Sequence, residues 1–251
     1  MSAANNPETF RMPLMEHLKE LRTRLIYSLA AGVIGCGACF YFAPQIWDFL
    51  VAPMQAALDE TGKGSMAISE PIEGFITQLK VAGLAGVGIA SPVIFYQIWR
   101  FIAPGLYPKE QRLIVPLAFF STVLFLGGVT FGYFVIFRYA FPFFLEITPD
   151  NVEAVLSINS YLGLATKMLL AFGACFQLPV IAFALARAGL IDHRDMINGF
   201  RYAMVGIFVV AAIITPPDVI SQGLMAGPLI ILYFFGVIIA WLFSTKNREE
   251  A

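Results

Sequence analysis

Long uncharged runs dominate this chain and predict helices that cross a membrane. A span needs roughly 20 apolar residues to cross a hydrocarbon core of about 30 Å. Six windows without Asp, Glu, Lys or Arg meet or approach this need. They are Leu25 to Trp47, Val81 to Trp99, Leu113 to Phe137, Met168 to Ala186, Tyr202 to Pro217 and Val219 to Thr245. Because backbone groups find no water in lipid, each window is predicted to be helical, which makes the chain all-α.

The last two windows predict short helices. Tyr202 to Pro217 holds sixteen uncharged residues, and Pro228 divides the final window, so we expect the sixth helix to restart there and run fifteen residues to Phe243. At about 1.5 Å per residue, helices of these lengths reach about 22 to 24 Å. Such helices must thin the bilayer or recruit partners.

The two ends of the chain differ from the spans in polarity. Residues 1–11 are polar and predicted to be disordered. Residues 12–24 are predicted to form an amphipathic helix at the cytoplasmic interface that runs into the first span, because leucines recur at helical spacing. These leucines are Leu14, Leu18, Leu21 and Leu25. Residues 244–251 form a polar tail, so residues 1–251 are interpreted as a single membrane domain with six spans.

Composition supports a polytopic membrane protein, since 59% of residues are hydrophobic, 13% are charged and the mean hydropathy is +0.76. The positions of the charges predict the topology. With six crossings, twelve of the sixteen basic residues lie on one side: Arg11, Lys19, Arg22, Arg24, Arg100, Lys109, Arg112, Arg187, Arg194, Arg201, Lys246 and Arg248. The positive-inside bias therefore places both termini in the cytoplasm.

Motifs for catalysis or metal binding are not found in the sequence. There is no phosphate loop, no Ser/His/Asp arrangement and no His or Cys grouping with metal-ligand spacing. Cys36 and Cys39 form a CxxC pair, but they lie in an apolar helix without further ligands and are interpreted as packing residues. We therefore predict a protein that is not an enzyme and needs no cofactor.

The stretch from Tyr96 to Arg112, YQIWRFIAPGLYPKEQR, marks a membrane boundary on the cytoplasmic side. It places one carboxylate, Glu110, among basic residues, and Glu20 lies on the same predicted side. Two such carboxylates suit two guanidinium groups, because arginine pairs bidentately with carboxylate whereas lysine offers a point charge. An equally weighted alternative is that Glu20 pairs with Arg24, four residues later on the same helix.

Gln177 lies close to the middle of the fourth span and is followed by Pro179. A buried amide in lipid must find partners. An interhelical hydrogen bond and a functional role facing other helices or a wet cavity are equally weighted.

Three segments of the chain resemble the signatures of one protein family. MEHLKELRTRL, YQIWRFIAPGLYPKEQR and TPPDVISQ resemble those of TatC, the large subunit of the twin-arginine, or Sec-independent, protein translocase. The resemblance extends from about Met12 to Phe243. It implies a concave, glove-like bundle of six helices in the bacterial inner membrane.

The resemblance also implies roles for single residues. Those implied to bind the twin arginines of a signal peptide are Glu20, Glu110, Leu21, Arg22, Phe101, Pro104 and Leu106. Pro53 is implied to belong to a structured first external loop, and Asp218 and Gln222 are implied to matter for assembly or transport. Some family members carry glutamate at the position of Gln177, so a role that needs charge there is in doubt.

The partners that the resemblance implies are TatA-like and TatB-like single-span subunits, signal peptides of folded cargo proteins, the lipid bilayer and further copies of the chain. Nucleic acid is not implied. Transport would be driven by the proton-motive force. Two rival hypotheses are a small-solute transporter that uses Gln177, Lys80 and Lys167 as a polar path, and an intramembrane enzyme. The first lacks the paired broken helices and internal symmetry typical of such transporters, and the second lacks a nucleophile with a nearby base.

Overall fold

Helices make up most of the structure, a computed structural model that describes residues 14–68, 70–102, 111–147, 149, 155–214 and 219–243. The helices are α1 (Leu14–Phe40), α2 (Ala43–Thr61), α3 (Glu73–Ile102), α4 (Ile114–Phe131), α5 (Phe137–Glu146), α6 (Ile158–Cys175), α7 (Leu178–Arg187), α8 (His193–Asn198), α9 (Phe200–Ile214) and α10 (Val219–Phe243). A 3₁₀ turn, Gln111–Leu113, precedes α4, and a π-helical segment, Gly132–Ile136, joins α4 to α5. The strands are β1 (Ser65–Ala67) and β2 (Val155–Ser157).

Five helical stretches among the described residues are long and apolar enough to cross a membrane. They are Met15–Phe40, Glu73–Ile102, Ile114–Glu146, Ile158–Arg187 and Gln222–Phe243. α9 is a shorter apolar helix of 15 residues, about 22 Å long at about 1.5 Å per residue. The predicted all-α, multi-pass class and the short fifth helix are thus confirmed.

The sixth helix is longer than predicted. The expectation that it restarts after Pro228 is wrong, because α10 runs unbroken through that proline and spans 25 residues. A proline inside a helix removes one backbone donor, and membrane helices tolerate this loss when another group satisfies the freed carbonyl. Pro92 in α3 shows such a solution: the Gly88 carbonyl, four residues earlier, accepts from the Ser91 hydroxyl at 2.7 Å.

The first helix ends earlier than its uncharged window. α1 combines the predicted amphipathic segment and the first span in one continuous helix that ends at Phe40. A turn follows at residues 41–42, and α2 begins with Pro44 in its first turn. Proline is tolerated at this position because the backbone N–H groups of the first turn have no partner within the helix. Trp47 therefore lies in α2 rather than at the end of the first span.

Glycines allow two pairs of helices to touch through their backbones. A Cβ on Gly86 of α3 would lie 2.4 Å from the backbone nitrogen of Cys36 in α1, and one on Gly35 would lie 2.6 Å from the Gly86 carbonyl oxygen. A Cβ on Gly128 of α4 would lie 2.6 Å from the carbonyl oxygen of Phe172 in α6. Small residues commonly provide such close approach between membrane helices. These contacts fix α1 against α3 and α4 against α6.

Among the residues that the structure describes, the buried side chains form one large cluster and two small ones. The large cluster surrounds α5 and α6, and its fully buried members include Phe137, Phe141, Leu162 and Met168. A small cluster forms near the end of α3 around Trp99, with Leu117, Ala118, Val180 and Ala184. A third consists of Cys39, Ala43 and Ala82. The end of α3 thus packs against a cluster with far fewer buried residues than the large cluster beside its first half.

Glu73, the first residue of α3, joins two distant segments of the chain. It is 5% exposed and accepts from the Ser157 hydroxyl and the Asn159 backbone N–H, both at 2.6 Å, and from the Glu70 N–H at 3.3 Å. Lys80, two helical turns after Glu73 on the same face of α3, donates to the Asn159 side chain. Beside this network β1 pairs in parallel with β2, with Met66 opposite Leu156. The small sheet was not expected from the sequence.

Candidate functional site

One face of α1 lies against the last turns of α3 and brings together polar and aromatic side chains. His17, Glu20 and Arg24 recur on α1 at intervals of three and four residues, which places them on one helical face. Gln97 and Phe101, four residues apart on α3, lie opposite, because the two helices run antiparallel from their Gly35–Gly86 contact. We call these five residues the α1–α3 cluster.

The α1–α3 cluster is held by one ion pair, one hydrogen bond and one ring contact. Arg24 Nη2 donates to Glu20 Oε1 at 3.1 Å, and Arg24 Nη1 donates to Gln97 Oε1 at 3.1 Å. The rings of His17 and Phe101 stack with centroids 4.4 Å apart and an interplanar angle of 16°. The Glu20 side chain remains 22% exposed. The cluster therefore presents a carboxylate that a ligand can reach, beside a flat aromatic surface.

The prediction that Glu20 pairs with Arg24 is confirmed, and the structure extends it to the neighbouring helix through Gln97. The other described residues of the predicted binding set are arranged differently. Phe101 joins the cluster, whereas Leu21, 42% exposed, and Arg22, also exposed, lie off the face that meets α3. Glu110, Pro104 and Leu106 lie outside the described residues, as does Asp218.

Arg100 lies next to the cluster on α3 without joining it. Its Nη1 donates to the Tyr96 hydroxyl at 2.9 Å, and its guanidinium carbon lies 5.8 Å from the centre of the Tyr96 ring. This arrangement holds a positive charge close to the cluster but away from Glu20.

Gln177 lies at a break in the fourth predicted span, between α6 and α7, where it is 9% exposed. Its side-chain nitrogen donates to the backbone carbonyls of Ser121 in α4, at 3.0 Å, and Gly173 in α6, at 3.4 Å. The Ser121 hydroxyl in turn accepts from Trp99 Nε1 of α3 at 2.8 Å. The predicted interhelical hydrogen bond is therefore present, and it ties three helices together. A role for Gln177 in contacting a partner subunit stays a prediction.

Pro53 lies inside α2, where it cannot donate to the carbonyl four residues earlier. That carbonyl belongs to Phe49 and accepts instead from the Tyr133 hydroxyl at 2.5 Å. The two rings stack with centroids 4.3 Å apart. The next carbonyl, of Leu50, accepts from the Tyr161 hydroxyl at 2.5 Å. Pro53 thus exposes a backbone acceptor through which α2 binds the π-helical segment.

Gln222 connects the last two helices. Its side-chain nitrogen, near the start of α10, donates to the Phe208 carbonyl in α9 at 2.8 Å. Because α9 is short and Ile207 and Ala211 are its buried residues, this bond adds a polar contact between α9 and α10. Among the described residues, no group of three or more His, Cys, Asp or Glu side chains is placed to hold a metal ion.

Sequence reasoning missed Gln97 and the contribution of His17 to the cluster. A signal was present in the spacing, because His17, Glu20 and Arg24 follow one face of a predicted helix, and Gln97 precedes Phe101 by one turn. The antiparallel register that brings these faces together depends on the helix crossing, which spacing within a single helix does not contain.

Comparisons with known proteins agree with this architecture. The sequence model of the family described as "Sec-independent protein translocase protein (TatC)" matches residues 16–228. A TatC protein of Desulforapulum autotrophicum is 43% identical over 247 residues, which cover 97% of this chain and 91% of that protein. A TatC protein of Helicobacter pylori is 40% identical over 237 residues, covering 94% and 92%.

Two solved structures are also similar. A crystal structure described as that of the twin arginine translocase receptor TatC superposes with a TM-score of 0.78 at 38% identity, covering 89% of this chain and 97% of the other. A second, described as the same receptor in DDM, gives a TM-score of 0.80 at 37% identity, covering 89% and 99%.

Proposed function

Because the chain belongs to the TatC family of Sec-independent protein translocase proteins, we propose that it is the core receptor subunit of a twin-arginine translocase. In this role it binds Arg-Arg signal peptides and exports folded proteins with the proton-motive force. The chain is a multi-pass protein of the bacterial inner membrane and a transport component rather than an enzyme. The finer steps, from peptide capture to subunit assembly, are our proposal.

The capture step is supported by the carboxylate of Glu20, of which Oε1 accepts from Arg24 and Oε2 stays available to a ligand. One of its oxygens accepts from Arg24, while the side chain stays 22% exposed at the end of a membrane helix. An incoming guanidinium needs an accessible carboxylate in a partly shielded place, because a fully solvated ion pair contributes little. The stacked rings of His17 and Phe101 supply that shielding.

The chemistry of arginine supports selection of Arg over Lys at this site. A guanidinium presents two parallel N–H groups that match the two oxygens of a carboxylate, whereas an ammonium group acts as a point charge. Glu110 follows Ile102, the last residue of α3, by eight positions. We propose that Glu110 is the second acceptor and that Pro104 and Leu106 shape the path between the two.

The partners that we propose are TatA-like and TatB-like single-span subunits, together with further copies of the chain. The short α9 supports this, because a helix of about 22 Å leaves part of a core of about 30 Å uncovered and favours association with other helices. Gln177, Asp218 and Gln222 are proposed to act in assembly or transport, and Pro53 to hold the first external loop. Both termini are proposed to face the cytoplasm.

Photocrosslinking of an Arg-Arg signal peptide tests the capture step. A photoreactive residue in place of Leu21, the exposed neighbour of Glu20 on α1, should crosslink the peptide in membranes, and Glu20→Gln should lower the yield at least several-fold. Glu16→Gln is the matched control, because Glu16 is an exposed glutamate one turn earlier on α1. Equal yields from wild type, Glu20→Gln and the double variant with Glu110→Gln would refute capture by these carboxylates.

A further inference from the structure

Arg24 already supplies a guanidinium to the carboxylate that is proposed to receive one. It lies one helical turn after Glu20 on α1, is 19% exposed, and donates to Glu20 through Nη2 and to Gln97 through Nη1. The free protein therefore carries an internal arginine in the position that a ligand arginine would take.

The pairing of Arg24 with Glu20 uses little of what both groups offer. A guanidinium has five N–H donors, and the strong arrangement with a carboxylate uses two parallel ones on both oxygens. Among the described residues, Arg24 places one donor on Glu20 Oε1, and its buried Nε has no hydrogen-bond partner. The other terminal nitrogen of Arg24, Nη1, donates to Gln97 rather than to the second oxygen of Glu20. An arginine arriving from outside the helix is free to form the bidentate pair that Arg24 does not form.

We propose that Arg24 occupies Glu20 in the unliganded receptor and that an arginine of the signal peptide displaces it, an inference that rests on the proposed function of Glu20. On displacement Arg24 keeps its bond to the Gln97 amide oxygen, so its guanidinium retains one hydrogen-bond acceptor. The exchange keeps one guanidinium paired with the carboxylate of Glu20 throughout. It requires no movement of α1 relative to α3, which are fixed by the Gly35–Gly86 crossing.

Displacement makes Arg24 an internal competitor of the signal peptide for Glu20. A ligand arginine replaces one single-bonded guanidinium by a bidentate one and gains a bond. A ligand lysine must remove a guanidinium and offers only a point charge in return. Breaking the Arg24–Glu20 pair costs the same free energy for either ligand, so the internal arginine weakens binding of both peptides by a similar factor. Only the Arg-Arg peptide recovers that cost through a bidentate pair.

The experiment is equilibrium binding of fluorescent signal peptides to the purified full chain in lipid nanodiscs. Peptides with Arg-Arg and with Lys-Lys at the same positions are compared on wild type and on Arg24→Gln. We expect Arg24→Gln to bind the Arg-Arg peptide about two- to fivefold more tightly, as loss of a partly exposed ion pair implies. We expect it to bind the Lys-Lys peptide more tightly by a similar factor, so that the ratio of the two affinities stays close to that of wild type.

Arg22→Gln is the matched control. It removes the same charge two residues away on the exposed side of α1, where the side chain does not face α3. Because Arg22 does not pair with Glu20, the variant should leave both affinities close to those of wild type. If Arg22→Gln tightens binding as much as Arg24→Gln does, the effect is one of net charge and the displacement model is overturned.

Gln97→Met gives a prediction of opposite sign and does not depend on removing Arg24. It deletes the acceptor that retains Arg24 after displacement, so the Arg-Arg peptide should bind about twofold more weakly while Glu20 and Arg24 are both intact. Tighter binding to Gln97→Met, or weaker Arg-Arg binding to Arg24→Gln with an unchanged melting temperature, overturns the inference.

The same measurements separate this inference from the proposed function. If wild type does not prefer the Arg-Arg peptide, or if Glu20→Gln binds it as well as wild type does, capture by Glu20 itself fails. If Glu20→Gln loses binding but Arg24→Gln shows no gain, capture stands and Arg24 has only a structural role.

Discussion

A polar cluster with a glutamate lies at each end of α3, and the two clusters differ in how that glutamate is bonded and exposed. At the start of the helix, Glu73 is buried and accepts from three donors in two chain segments. At the end, Glu20 from α1 accepts from one described donor and stays partly exposed. Saturated, buried acceptors stabilise a fold, whereas an accessible acceptor with spare capacity is available to a ligand.

The surrounding packing follows the same division. The start of α3 lies beside the large buried cluster around Phe137 and Phe141, whereas its end packs on the small cluster around Trp99. Low local packing is typical of regions that bind or move, because they have less to lose on rearrangement. The difference implies that substitutions at the start of α3 should act on stability and those at its end on binding.

The largest effect is expected for Glu73→Gln. The substitution removes the charge from three hydrogen bonds and turns a donor toward the Glu70 N–H, so the free energy of unfolding should fall by about 3 kcal/mol. Denaturation of the purified protein in detergent micelles measures this. Glu70→Gln, an exposed neighbour whose backbone alone takes part, should change stability by less than about 0.5 kcal/mol. Equal stability of the two variants would show that the buried network is not what holds these segments.

Tyr133→Phe should have the next largest effect. It leaves the Phe49 carbonyl without the hydroxyl that replaces the missing N–H of Pro53, at a cost of about 1 to 2 kcal/mol. Adding Pro53→Ala to this variant restores a backbone donor in α2 and should recover most of the loss. The same unfolding measurement on the double variant decides the matter: no recovery would mean that Tyr133 acts by packing rather than by bonding Phe49.

Gln177→Leu should lower the free energy of unfolding by about 1 kcal/mol, because it removes a buried bond to the Ser121 carbonyl. Trp99→Phe removes the bond to the hydroxyl of the same residue. Since both act on the position of Ser121, the double variant should lose less than the sum of the single variants. Strict additivity would argue that the two bonds are independent and that no connected network joins α3 to the break before α7.

Glu20→Gln should have the smallest effect on stability. Partly exposed ion pairs within a helix contribute about 0.3 to 0.5 kcal/mol, so its unfolding curve should nearly overlay that of wild type even though the yield of peptide crosslinking falls several-fold. A destabilisation as large as that of Glu73→Gln would remove the distinction between the two ends of α3.

Much of the architecture could be predicted from the sequence because membrane spans depend on local composition. The uncharged windows predicted where the spanning helices lie, and the sixteen-residue window from Tyr202 to Pro217 predicted that α9 is short. Glu20 and its pairing with Arg24 were predictable because residues four apart on a helix are neighbours. The resemblance of three segments to TatC led to the correct family, which full-length relatives at about 40% identity support.

Proline positions were a weaker guide. Pro228 does not end α10, and membrane helices tolerate an internal proline where another group satisfies the freed carbonyl. Pro53 and Pro92 illustrate two such groups, a tyrosine from a distant helix and a serine one residue away. The neighbouring sequence could predict the role of Ser91 beside Pro92 but not that of Tyr133.

The sequence by itself determined which segments enter the membrane, since the cost of burying charge is set residue by residue along each helix. The tertiary structure alone decided which polar groups meet. Arg24 and Gln97 are 73 positions apart, Tyr133 and Phe49 are 84 apart, and Tyr161 and Leu50 are 111 apart. Bonds over such separations depend on the register in which helices cross, here fixed by the contacts at Gly35, Gly86 and Gly128. That register is a property of two surfaces together, and neither helix encodes it alone.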